Sequence, residues 1–181
     1  GGGLSNMQIL TVCTGNICRS PMAEIVLREH LARSLGEAAA QVAVRSAGVS
    51  SEEYGNPIDP RARRVLAAAG YTDGALATHR ARPIAPDELD HTLILAMTAS
   101  HARAIRRFAD HHDQVAVTGR VRMFRSFDPQ APQAMEFQDE SLLDVADPWY
   151  GDEHDFVQCL AQIEAAMPQL VAYVREQVAH P

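Results

Sequence analysis

Gln8-Ile9-Leu10-Thr11-Val12-Cys13-Thr14-Gly15-Asn16-Ile17-Cys18-Arg19-Ser20-Pro21 passes from an apolar, strand-like run into a helix-like one within a single turn. Ile9, Leu10 and Val12 carry the strand, and Pro21 stands in the first helical turn, where a missing N–H is tolerated. A cysteine and an arginine flank five residues at the join. In such a strand-turn-helix the loop amides, the positive end of the helix dipole and the Arg19 guanidinium converge on one point and favour negative charge there. A phosphoryl group suits that point, because the planar fork of arginine can hold two of its oxygens at once. The same field favours a thiolate at Cys13.

Outward from this segment the chain alternates strand and helix signals, which predicts an α/β fold built on a parallel sheet with right-handed crossovers. Ala23, Leu27, Leu31 and Leu35 recur every four residues, and Gly36 can end that helix. Val42 to Ala47 reads as a second strand. Asp59-Pro60 opens a helix that runs to Gly70, Thr92 to Met97 is a third strand, Thr98 to Phe108 a helix with an arginine-rich outer side, and Val121 to Phe124 a fourth strand. Phe156, Leu160, Ile163, Met167, Leu170, Val174 and Val178 step by three or four, predicting one long terminal helix with Cys159 in its core face.

Composition narrows the function. The 181 residues, 46% apolar and 22% charged, suit one domain with a sizeable core. Residues 7–181 read as that domain, and Gly1 to Asn6 as an expression scar. No long apolar run suggests a membrane span, and the start lacks the regions of a signal peptide. Three cysteines without secretion features point to a reducing, cytoplasmic setting. The net charge of −7 argues against a nucleic-acid partner. All 16 basic residues are arginine, so a Walker loop and a Schiff-base mechanism, each of which needs lysine, are excluded. His111-His112-Asp113 has no partner motif and reads as a solvated loop rather than a metal site.

Val12 to Glu24 resembles the signature loop of the low-molecular-weight protein tyrosine phosphatases, and Asp147-Pro148-Trp149-Tyr150-Gly151 resembles that family's general-acid loop. The likeness runs from about Met7 to Ala179, and two motifs in the expected order, about 130 residues apart, are far more specific than a lone C-x5-R. It implies a four-stranded parallel sheet flanked by helices, the phosphotyrosine phosphatase I-like, Rossmann-like three-layer fold. It also implies a protein-tyrosine-phosphatase activity without metal or other cofactor, inhibition by phosphate and other oxyanions, and a monomer.

The site follows from the same resemblance. Cys13 attacks phosphorus, Arg19 and the loop Thr14-Gly15-Asn16-Ile17-Cys18 hold the oxygens, and Asp147 acts as acid and then base. Cys13 must be ionised while Asp147 is protonated, which predicts a rate maximum in mildly acidic solution. Asn16 takes a left-handed backbone conformation, Ser20 donates to the Cys13 thiolate, and Ser46 and His79 brace Asn16. Blander alternatives are a helix cap for Ser20, a strand-end hydroxyl for Ser46, a surface imidazole for His79 and a turn former for Asp147. Cys18 is either a redox partner that forms a reversible disulfide with Cys13 or a small buried apolar residue.

Trp149 and Tyr150 offer flat faces to a phenyl ring. Ile17 points the same way, since related arginine phosphatases carry threonine there. The usual aromatic wall of the pocket falls near Glu52, with Tyr54 close by as a replacement. A protein arginine phosphatase of the same fold is one alternative, and two rivals from other classes share the cradle. A thiol-based arsenate reductase needs a further cysteine pair that this chain lacks, and a non-catalytic phospho-binding module would have no need of Asp147.

Overall fold

A computed structural model describes residues 7–132 and 139–179; the reading of residues 1–6 lies outside them. Four parallel strands, β1 (Met7–Cys13), β2 (Val42–Gly48), β3 (Leu93–Ala96) and β4 (Val121–Met123), lie in the order β2-β1-β3-β4. The helices are α1 (Arg19–Leu35), α2 (Pro60–Ala68), the single turn α3 (Ala75–Thr78), α4 (Ala99–His111), α5 (Glu153–Ala165) and α6 (Met167–Ala179).

Alternation along the strands explains the three layers. Met7, Ile9 and Cys13 of β1, with Leu93 and Leu95 of β3, enter one core layer under α1, α2, α5 and α6. Leu10 and Val12, with Ile94 and Ala96, enter the other, against Ala99, Ala102, Ile105 and Ala109 of α4. Both faces of the central strands are covered, so their sequences read as nearly continuous apolar runs.

Local signals set the element ends. Asp59 caps α2 by accepting from the Arg61 N–H at 2.8 Å, with Pro60 at the first helical position. Thr98 caps α4 rather than joining it. Gly36 and Gly70 follow α1 and α2 with φ of 55° and 95°, conformations that favour glycine.

The terminal helix departs from expectation. Apolar spacing runs unbroken from Phe156 to Val178, yet the structure divides it at Ala166 into α5 and α6. Pro168 is the cause: it has no N–H to give the Glu164 carbonyl, and its ring crowds that carbonyl. Proline at the second position of α6 is harmless, since that N–H would lie unbonded in the first turn anyway.

Candidate active site

The loop after β1 is where the chain's polar groups converge. Cys13 ends β1 and is 3% exposed, and Arg19 opens α1 at 5%. Among the described residues, the backbone N–H groups of Thr14 to Cys18 donate to no protein acceptor. A curled run of free N–H groups beside a helix N-terminus suits an oxyanion. The loop carbonyls, by contrast, are engaged: Cys13 O accepts from Val49 N at 2.9 Å, Thr14 O from Ser50 N at 3.0 Å and Ile17 O from Asp59 N at 2.9 Å.

A polar brace stands behind the loop. Asn16 is fully buried with φ of 61°, the left-handed conformation expected of it. Its amide donates to Ser20 Oγ and Ser46 Oγ, both at 2.9 Å, and its side-chain oxygen accepts from the Arg82 N–H at 3.0 Å. His79 Nε2 donates to the Asn16 carbonyl at 2.7 Å. Ser20 Oγ lies 2.9 Å from Cys13 Sγ, a sulfur contact rather than a helix cap. Ser46 in turn hydrogen-bonds Glu24.

The segment Asp144 to Gly151 meets the loop after β1 from the far end of the sequence. Val145 N donates to Met97 O at 2.8 Å, and Asp144 Oδ1 accepts from Ala99 N at 2.7 Å, so the segment is pinned where β3 meets α4. The Val145 carbonyl then accepts from Arg19 Nη1 at 2.8 Å. Asp147 Oδ1 accepts from Trp149 N at 3.1 Å, leaving Oδ2 3.6 Å from Arg19 Nη2. Asp147 is thus both turn former and cleft carboxylate. Arg61 stacks 4.5 Å from the Phe156 ring centroid and donates to Gly151 O at 3.0 Å, holding the loop's trailing end.

Cys13, Thr14, Gly15, Ile17, Cys18, Arg19, Glu52, Asp147, Trp149 and Tyr150 all line one cleft, joined by Ser50 and Glu53. Trp149 and Tyr150 meet edge to face with centroids 4.9 Å apart. Tyr54 is the exception: it is 72% exposed and does not line the cleft. Tyr54 N donates to Ser51 O in a tight turn, Gly55 N is tied to Ala81 O, and Glu53 rather than Tyr54 lines the wall.

Sequence reasoning missed His101. Its Nε2 lies 2.8 Å from Thr14 Oγ1, while its buried Nδ1 meets no partner among the described residues. Burial, reinforced by Arg19, lowers its pKa to about 3, so the ring is neutral at working pH. A lone pair left idle at Nδ1 costs less than an idle N–H. The proton therefore belongs on Nε2, donating to Thr14 Oγ1 and freeing that hydroxyl's hydrogen for the cleft. The available signal was a histidine at i, i+4, i+8 with Ile105 and Ala109 on a buried stripe.

The other cysteines are shielded. Burial, then the Asp59 carboxylate, pushes the Cys18 thiol well above its ordinary value, and burial pushes Cys159 up to about 12. All three cysteines are free thiols. No group of three or more metal-ligating side chains gathers among the described residues.

The profile of a family described as low molecular weight phosphotyrosine protein phosphatase matches residues 8–180. The chain belongs to that family. Low molecular weight protein-tyrosine phosphatase A of Mycobacterium bovis is 41% identical over 175 residues, covering 96% of this chain and 94% of its relative. A protein tyrosine phosphatase from Entamoeba histolytica superposes with a TM-score of 0.75 at 25% identity, over 94% of this chain and 98% of that one. The YwlE arginine phosphatase from Geobacillus stearothermophilus does so with 0.72 at 27% identity, over 97% of each chain. As a low-molecular-weight phosphatase, the protein is a hydrolase working by the family's cysteine-based chemistry. No helix among the described residues is long and apolar enough to cross a membrane.

Proposed function

We propose that this phosphatase hydrolyses phosphotyrosine in proteins, with Cys13 as nucleophile, Arg19 and the loop N–H groups as oxyanion holders, and Asp147 as acid and base. The arrangement of Cys13 Sγ beneath unpaired loop amides, beside Arg19 and facing Asp147, carries the reading.

The Cys13 thiolate forms an S–P bond as the P–O bond to the phenol breaks, and Asp147 gives its proton to the departing oxygen. Water then attacks phosphorus, Asp147 takes the water's proton, and the S–P bond breaks to return the thiolate. Phosphoryl oxygens on Arg19 compete with Asp147 for the guanidinium and release the carboxyl to face the leaving group. Charge stabilisation by fixed donors supplies what lowers the barrier.

Trp149, Tyr150 and Ile17 line the cleft and suit a phenyl ring. Glu52 and Glu53 favour a second reading, phosphoarginine, whose guanidinium an acidic rim attracts. Matched phosphotyrosine and phosphoarginine peptides decide between them: the aromatic reading expects the higher kcat/KM for phosphotyrosine, and the reverse order overturns it. Cys13→Ser should abolish turnover while oxyanion binding persists, and residual hydrolysis would refute the nucleophile. Asp147→Ala should lower kcat by about a hundredfold or more, the usual worth of a general acid.

A further inference from the structure

A second hollow lies behind the phosphate loop, where α1, β2 and α3 meet the segment 79–82. Four guanidinium groups, Arg28, Arg45, Arg80 and Arg82, line it together with one carboxylate, Glu24. The charge is not evenly spent. Arg28 is taken by Glu24 and Asp73, and Arg82 by both oxygens of Glu88 at 2.6 Å. Arg45 and Arg80 have no carboxylate partner among the described residues; Arg80 reaches only the His79 carbonyl. In a chain of net charge −7, the four guanidinium groups outnumber the three carboxylates Glu24, Asp73 and Glu88 by one, and Arg45 and Arg80 carry that excess over one concave surface.

The hollow measures about 340 Å³. That falls at the small end of ligand pockets, roughly 300–1,000 Å³, and exceeds what one bare ion needs. Guanidinium forks hold phosphate oxygens through paired, charge-assisted hydrogen bonds. Ser46 and His79, which line the hollow, are also the side chains that brace Asn16. The hollow and the catalytic cradle therefore share a wall.

We propose that this hollow is a second anion site, in which Arg45 and Arg80 bind the phosphate group of a small phosphorylated molecule or phosphate itself. It is independent of the catalytic assignment, since neither arginine belongs to the cleft.

Nuclear magnetic resonance titration of the isotope-labelled protein tests it, with inorganic phosphate and adenosine monophosphate added separately. Each site has its own reporters: the amides of residues 14–20 for the cleft and of residues 74–78 for the hollow. Both sets should shift saturably in the unmodified chain. In the double variant Arg45→Gln, Arg80→Gln, the response at residues 74–78 should weaken by about tenfold or more, as expected for lost charge-assisted hydrogen bonds. The response at residues 14–20 should persist. Tighter binding of the nucleotide marks a phosphorylated metabolite as ligand, and equal or weaker binding marks free phosphate; either supports the site. Amides 74–78 that stay still in the unmodified chain, or respond alike in the double variant, overturn it.

Discussion

His101 shows how one side chain outside the signature loop sets the chemistry inside it. With its proton assigned to Nε2, the ring donates to Thr14 Oγ1, 2.8 Å away, and leaves the Thr14 hydroxyl free to donate at the rim of the cleft. His101→Ala should raise KM for an aryl phosphate, and weaken inhibition by phosphate, by about five- to tenfold, the worth of one hydrogen bond. His101→Gln keeps a donor of similar reach and should recover most of the loss. Recovery separates positioning from mere packing, because the two variants differ in donor capacity. Equal damage in both would show that the ring matters only for its volume.

Between elements, the contact that tolerates least is the approach of β2 to the loop after β1. A Cβ on Gly48 would lie 2.5 Å from the Thr14 carbonyl oxygen and 3.2 Å from both Gly15 C and Ser50 O. All three are backbone atoms, so none can swing aside. Gly48→Ala should lower stability by about 1–3 kcal/mol through overpacking. It should also depress kcat, because the shift falls on Thr14 and Gly15; an unchanged denaturation midpoint with full activity would contradict this.

The limits of sequence reading lie at the same scale. The β1-loop-α1 unit was legible because its signals are local: an apolar run, a loop and a proline within fourteen residues. Asn16, Ser20, Ser46 and His79 were reachable only through the family resemblance, and the structure joins them in one network. His101 and the Val145 carbonyl were not legible, since they meet the loop from 87 and 126 residues away. A main-chain carbonyl has no sequence signature at all. The break at Pro168 was spelled in the chain, but apolar spacing on either side of it keeps the same phase.

For the molecule as a whole, three buried titratable groups predict the acid limb of stability. Burial works against the ionised forms of Asp59 and Glu88, but hydrogen bonds from Arg61 and Arg82 outweigh it and hold both below the ordinary carboxylate range. Their contribution is complete above the unfolded values and is lost as pH falls through the folded ones. His101 acts earlier. The unfolded chain takes up its proton below about pH 6.5, whereas the folded chain refuses it down to about 3. Stability should therefore decline as pH drops below about 6.5, by up to about 1.4 kcal/mol per pH unit from this one group. Denaturant titrations of the native chain and of His101→Gln should diverge in that window, with the variant flatter. Parallel curves would mean that the imidazole is not shielded in the fold.

The Arg19 to Val145 hydrogen bond ties catalytic competence to the order of synthesis. A growing chain acquires Cys13 and Arg19 together, yet the carbonyl that fixes that guanidinium follows 126 residues later, with the Asp147 carboxyl just beyond it. Until then Arg19 has neither its main-chain acceptor nor its facing carboxylate. A chain cut short before Val145 should therefore hydrolyse no aryl phosphate, and turnover by such a fragment would contradict the roles proposed for this pairing.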